Sequence, residues 1–198
     1  MKEEMFKICQ ERFATHKATL IQDTDRYLAI DWRKGNGSRD YYVNYILDKK
    51  CGSLFISGDL GDCMATWYNS LDVTHMKSFV NDVPYFMGKC QCMSDNYTYY
   101  EEDIMADIQN QLKDFDIAAF VNDEWIGNID DFWQTVEDEV SKSTSRLGKF
   151  LPTDELIKII SELDCDYFRW LYSCGKRIHP RVYLRAVGFQ MACEQLGL

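Results

Sequence analysis

The chain has 198 residues, 46% of them hydrophobic and 14% aromatic, which suits a folded protein with a real core and excludes a disordered acidic tail. Its net charge of −10 repels nucleic-acid phosphates and anionic membrane surfaces and points toward a basic protein partner instead. No apolar run approaches the length of a membrane span, and the opening Met1-Lys2-Glu3-Glu4-Met5-Phe6 is too acidic and too briefly apolar for an export signal, so a cytoplasmic protein with reduced thiols is expected.

Residues 3 to 15 carry Phe6, Cys9, Gln10 and Phe13 at helical spacing. From Ala18 the period changes to two. Thr19 to Asp23, Tyr27 to Arg33, Tyr41 to Leu47 and Ser53 to Ser57 are β-branched and aromatic runs separated by turn-forming clusters. Runs this close leave no room for crossover helices, so the pattern predicts an antiparallel meander of three or four strands over residues 18 to 57.

After Gly61 the pattern becomes helical. Asp62 is placed to cap a helix carrying Met64, Trp67 and Tyr68, and Thr74 to open another with Met76, Phe79 and Val80 that ends near Pro84. Residues 83 to 93 fit a helix or an irregular stretch. Ile104, Met105, Ile108 and Leu112 predict a helix over 99 to 113, and Ile129, Phe132, Trp133, Val136 and Val140 predict a second with a clean apolar stripe. Ser141 to Leu151 is the natural loop or boundary. Thr153 caps a helix through Leu163, and Asp166 to Cys174 and Pro180 to Leu196 form the final pair, with Pro180 at a first helical position. The fold class is α+β, with a sheet domain over 1–94 and a helical region over 95–198, or both within one continuous domain.

Chemical motifs are few. Gly35-Asn36-Gly37 lacks the third glycine and the following helix of a dinucleotide loop, and no glycine-rich loop runs into Lys-Ser or Lys-Thr. Neither a nucleophile elbow nor a paired-histidine zinc motif is present. His16, His75 and His179 are scattered and fit surface positions, and nothing in the sequence selects a nucleophilic pair such as Cys63 with His75. Of the eight cysteines, Cys9, Cys165 and Cys193 sit among apolar neighbours and read as small buried hydrophobes. Cys90-Gln91-Cys92 has no companion ligands at zinc spacing, so neither a metal nor a cofactor is expected.

Ser57-Gly58-Asp59-Leu60-Gly61-Asp62 is the sharpest local motif. Two carboxylates beside a tight turn suit a cation or a basic side chain. Turn glycines with Asp62 as a helix cap account for every residue except Asp59, and that structural reading is preferred. The basic stretch Lys176-Arg177-Ile178-His179-Pro180-Arg181, with Arg185, fits a nucleic-acid patch only if its bases share a face at phosphate spacing. Contact with the chain's own acids or with a second subunit fits equally well, which leaves a homodimer open.

The negative charge is concentrated. Residues 95 to 139 hold fourteen acids against one base, Lys113, while the rest of the chain is slightly positive. Solvated faces of amphipathic helices explain such a block in most proteins. As a binding face it would use Glu101, Glu102, Asp103, Asp107, Asp130, Asp131, Glu137, Asp138 and Glu139, which lie off the apolar stripes.

The runs Tyr41-Tyr42-Val43-Asn44-Tyr45-Ile46-Leu47-Asp48 and Ser53-Leu54-Phe55-Ile56-Ser57-Gly58-Asp59-Leu60-Gly61-Asp62, followed by Trp67-Tyr68 and Tyr85-Phe86-Met87-Gly88-Lys89-Cys90, resemble a family of small proteins encoded by phages and prophages of Gram-positive bacteria. The resemblance covers roughly residues 26 to 93 and supplies no catalytic residues. Some small proteins of the same mobile elements are anti-CRISPR inhibitors of Cas9, so it implies a phage protein acting in the bacterial cytoplasm. Together with the acidic block it leads to the expectation of an inhibitor that covers the basic nucleic-acid channel of a Cas effector with a DNA-mimic-like acidic face, without binding nucleic acid itself. The alternatives are an enzyme acting on a small molecule or nucleotide through Cys, His and Asp, and a phage regulatory or scaffold subunit.

Overall fold

The computed structural model describes residues 2–94, 96–124, 127–144 and 149–198. The chain is α+β and divides into two compact units, Met1–Asn96 with His179–Leu198, and Tyr97–Ile178. Among the described residues no helix is long and apolar enough to cross a membrane.

The first unit is built on a six-stranded antiparallel meander in sequential order: β1 (His16–Asp23), β2 (Tyr27–Lys34), β3 (Val43–Asp48), β4 (Ser53–Gly58), β5 (Cys63–Thr66) and β6 (Cys90–Met93). Leu28, Ile30 and Trp32 alternate inward on β2, as do Val43, Tyr45 and Leu47 on β3 and Leu54 and Ile56 on β4. The helices α1 (Lys2–Arg12), α2 (Val73–Asn81), α3 (Val83–Lys89) and, after the second unit, α8 (Pro180–Gln195) belong to this unit. Helix α8 lies against the inward face. Its Phe189 ring meets Tyr45 at 5.4 Å, and the Tyr45 hydroxyl donates to the Arg185 carbonyl at 3.0 Å. That approach requires Gly188, because a Cβ there would lie 2.3 Å from the Tyr45 hydroxyl.

Six strands form where three or four were expected, and the expected helix after Asp62 is strand β5. Cys63 and Ala65 point into the core, and β5 pairs on one side with β4 and on the other with β6, drawn from the ambiguous stretch 83 to 93. Asp62 caps no helix; its backbone is paired with Ser94, whose hydroxyl accepts from the Asp62 N–H at 2.9 Å. Helix α2 starts earlier than Thr74, with the Asp72 carboxylate accepting from the His75 N–H at 2.8 Å. A division at residue 94 puts the last helix with the second half of the chain. Its contacts put it in the first, because Val182, Leu184, Ala186, Val187, Phe189, Ala192 and Cys193 are all buried there and leave it almost no solvent face.

The second unit holds the ribbon of β7 (Tyr97–Thr98) with β8 (Arg177–Ile178) and helices α4 (Glu101–Leu112), α5 (Ile117–Glu124), α6 (Ile129–Ser143) and α7 (Asp154–Leu163). Ile104, Ile108 and Leu112 of α4 pack with Phe132, Val136 and Val140 of α6 and with Leu156, Ile159 and Ile160 of α7. These are the stripes that the spacing marks. Thr153 does cap α7, accepting from the Leu156 N–H at 3.1 Å. Helix α5 has no counterpart in the sequence reading; its first turn is held by Asp116, which accepts from the Ala119 N–H at 3.0 Å.

Residues 166 to 174 form two 3-10 turns rather than a helix. Asp164 accounts for this by accepting both the Asp166 N–H and the Trp170 indole N–H at 2.8 Å, which draws the chain into a tighter path. Of the loop expected over 141 to 151, residues 141–143 extend α6 and Thr144 bridges to Phe150, while 145–148 lie outside the described residues.

Candidate functional site

The second unit carries eighteen acids and eight bases, so it holds the whole net charge of −10, while the first unit is balanced at fourteen of each. All of the charge block except Asp95 therefore belongs to one folded unit.

The nine carboxylates picked out by sequence separate into two groups. Glu101 and Glu102 stand exposed in the first turn of α4, where the helix dipole favours negative charge. The Ser141 hydroxyl donates to Glu101 at 2.8 Å, which ties this turn to the end of α6. Glu137 and Asp138 are exposed one turn earlier on α6, and Asp138 accepts from Gln134 at 3.1 Å. Asp130, also exposed, begins the same ridge, since positions 130, 134, 137 and 141 recur at helical spacing on one side of α6. Along it Asp130 and Glu137 are separated by about 10 Å of helix rise. Asp130, Glu137 and Asp138 thus share one solvent-facing ridge of α6, joined at its end by Glu101, with Glu102 exposed next to Glu101.

The other four hold the unit together. Arg177 donates to both oxygens of Asp107, at 2.9 and 3.0 Å, and to Asp103 at 3.2 Å, while the Gly175 N–H adds a third bond to Asp107 at 2.7 Å. The Arg177 hydrogen bonds hold the Asp107 carboxyl below the usual carboxylate range against the opposing effect of partial burial. Glu139 is only 7% exposed; it accepts from Lys142 and from the Thr153 hydroxyl, and those two bonds lower its pKa in that order of importance. Asp131 completes a capping box with Asn128, accepting from its N–H at 3.1 Å. Asp103, Asp107 and Glu139 are thereby engaged by the chain's own groups, and Asp131, though exposed, is the capping partner of Asn128. In the basic stretch, Arg177 meets the chain's own acids, and Lys176 lies 4.0 Å from the centre of the Tyr97 ring.

Two exposed apolar side chains stand beside these acids: Tyr100, 51% exposed, which precedes Glu101 and has no part in the sequence reading, and Ile129, 43% exposed, which precedes Asp130 and which its spacing assigned to the apolar stripe. A large apolar residue directly before an acidic helix start was the available signal.

The remaining candidates resolve differently. The Asp59 carboxylate accepts the Tyr41 N–H at 2.8 Å, which closes the turn. Arg185, fully buried, donates to the carbonyls of Leu60 and Ser94. Cys63 faces Cys90 with the sulfurs 3.4 Å apart, and His75 faces Asp72, so the two are engaged separately. His16 is a core residue, 2% exposed between Phe13 and Trp32, because the chain turns directly from α1 into β1. Cys165 is exposed, whereas Cys9 and Cys193 are buried. Among the described residues no group of three or more His, Cys, Asp and Glu is placed to hold a metal ion.

No protein-family profile, curated protein sequence or solved structure matches the chain.

Proposed function

We propose that the helical unit Tyr97–Ile178 is a binding module whose acidic ridge covers a basic surface on a partner protein. The observation that carries this reading is the exposure of Glu101, Glu102, Asp130, Glu137 and Asp138 on and beside one ridge, while the nearest cation in sequence, Lys142, is given to the buried Glu139. An arrangement of this kind accelerates encounter and sets orientation. Tyr100 and Ile129 beside it offer the apolar anchors that sustain a complex once formed.

The resemblance of residues 26 to 93 to phage-encoded proteins gives the partner its class. A Cas effector such as Cas9 presents a positively charged channel that holds a nucleic-acid duplex through its backbone. A ridge of carboxylates supported by apolar contacts competes with phosphates for that channel, so the function is inhibition of a host nuclease in the bacterial cytoplasm. The test is target cleavage by guide-loaded Cas9 with the purified chain added at increasing ratio. Loss of cleavage near stoichiometry is expected, and full cleavage at a large excess of the chain would remove this reading.

A further inference from the structure

The first unit contains a second charged feature, of opposite sign and different construction. A cleft of about 430 Å³ is lined by Arg33, Arg39, Tyr42, Gly58 and Asp59. It adjoins, through Asp59, a second cleft of about 260 Å³ that includes Arg12, Tyr41, His179 and Arg181. Four arginines and no lysine line the pair. Guanidinium is the planar fork that matches a phosphate with two parallel hydrogen bonds.

The rim is held in place. Asp59, the one carboxylate in the lining, is occupied by the Tyr41 N–H at 2.8 Å, and its own N–H donates to the Tyr42 carbonyl at 2.9 Å. These bonds fix Tyr41 in the left-handed region, at φ 56, a conformation that a tyrosine rarely adopts and that is concentrated at binding sites. Gly58 lies at φ +132, and a Cβ there would meet the Tyr42 carbonyl at 2.3 Å, so only glycine lets the two loops close.

The arginines are oriented by aromatic rings. Arg12 donates to the Tyr41 hydroxyl at 3.0 Å, and the Arg33 guanidinium lies 4.8 Å from the centre of the Tyr42 ring while bonding Asp31. Arg39 has no side-chain partner among the described residues. Arg33 shares with Arg26, Lys34 and Lys49 a pairing with a carboxylate, Asp31, Asp48, Asp40 and Asp23 respectively, which Arg39 lacks among the described residues.

We propose that this arginine cleft binds a small organic phosphate of nucleotide size. Its volume falls within the range of roughly 300–1,000 Å³ typical of small-molecule sites. The net charge of −10 on the chain favours a small ligand over a nucleic-acid strand.

Calorimetric titration with ADP, pyrophosphate, inorganic phosphate and a single-stranded DNA oligonucleotide tests this. Saturable one-to-one binding of ADP is expected, weaker binding of inorganic phosphate, and loss of affinity with added salt. Arg39→Ala and Arg12→Ala should each weaken ADP by about tenfold or more, the loss of one charge-assisted hydrogen bond. Lys50→Ala, an exposed cation at the other end of β3, should change nothing. Arg39 is exposed and makes no side-chain hydrogen bond or ion pair among the described residues, so its substitution separates the ligand contact from folding. Absence of saturable ADP binding at millimolar ligand, equal loss in Lys50→Ala, inorganic phosphate binding as tightly as ADP, or tighter binding of the oligonucleotide would each overturn the proposal.

Discussion

Replacing Asp107 by alanine separates a structural carboxylate from a surface one. In the folded chain Asp107 accepts two bonds from Arg177 and one from the Gly175 N–H. Gly175 is buried at φ +68, and a Cβ there would lie 2.2 Å from the Ile104 side chain, so its backbone cannot shift to another acceptor. A buried donor left without a partner costs about 1–3 kcal/mol. The ion pair adds little, because both side chains are 34% exposed and a solvent-screened pair contributes roughly 0–1 kcal/mol. The expected loss is about 2–3 kcal/mol, or roughly 5–10 °C in Tm for a chain of this size. Urea and thermal melts followed by tryptophan fluorescence measure it. Asp107→Asn keeps an acceptor for Gly175 and should lose about half as much, whereas Glu102→Ala should stay within about 0.5 kcal/mol of wild type.

The pH dependence has a definite sign. The Asp107 carboxyl is held below its ordinary 3.8 when folded, so its stabilisation is present above that value and is lost as pH falls through the folded one. Asp107→Ala should remove that part of the acid sensitivity. An Asp107→Ala melt within about a degree of wild type would refute the assignment.

Gly58→Ala should destabilise by about 3 kcal/mol or more, read from the urea midpoint, because the new Cβ meets the Tyr42 carbonyl; an unchanged midpoint would contradict that. Burial lowers the His16 pKa below 6.5, so the unfolded chain takes up its proton first, and stability should fall as pH drops below 6.5 toward the folded value. His16→Phe should flatten that slope, and a wild-type melt indifferent to pH over this window would exclude the effect. Burial raises the Cys9 thiol to about 11 and those of Cys174 and Cys193 to about 12, whereas Cys51, Cys92 and Cys165 are exposed. Alkylation of the native protein at neutral pH should therefore label the exposed three, and early labelling of Cys9 or Cys193 by mass spectrometry would show the core to be open.

Legibility in the sequence followed the range of the contacts. The stripes of α4 and α6, the Thr153 cap and the alternation of β2 to β4 are local patterns that were visible directly. Strand β5 was hidden because its four residues are too few for a period and its partner β6 begins twenty-seven positions after Cys63. Helix α8 presents apolar residues on all sides, so nothing local showed that it covers a sheet from the start of the chain.

The acidic block was visible as charge, but its division was not. Asp107 differs from Glu102 through Gly175 and Arg177, 68 and 70 positions away, and Glu139 differs from Asp138 through Thr153, 14 positions on. The arginine cleft was equally hidden, since Arg12, Arg39 and Arg181 converge only through the fold.

Charge reversal decides whether the exposed ridge is the binding face. Glu101, Glu102, Asp130, Glu137 and Asp138 are changed to Lys in one variant, and the same number of exposed acids in the other unit, Glu3, Glu4, Glu11, Asp23 and Asp25, of which Asp23 pairs with Lys49, in another. Association and dissociation with guide-loaded Cas9 are then recorded at low and high salt. The expected result is loss of binding in the first variant, near-wild-type binding in the second, and wild-type association that slows with salt. Equal loss in both variants, or no loss in either, would contradict a binding site on the ridge and leave its carboxylates as solvated surface.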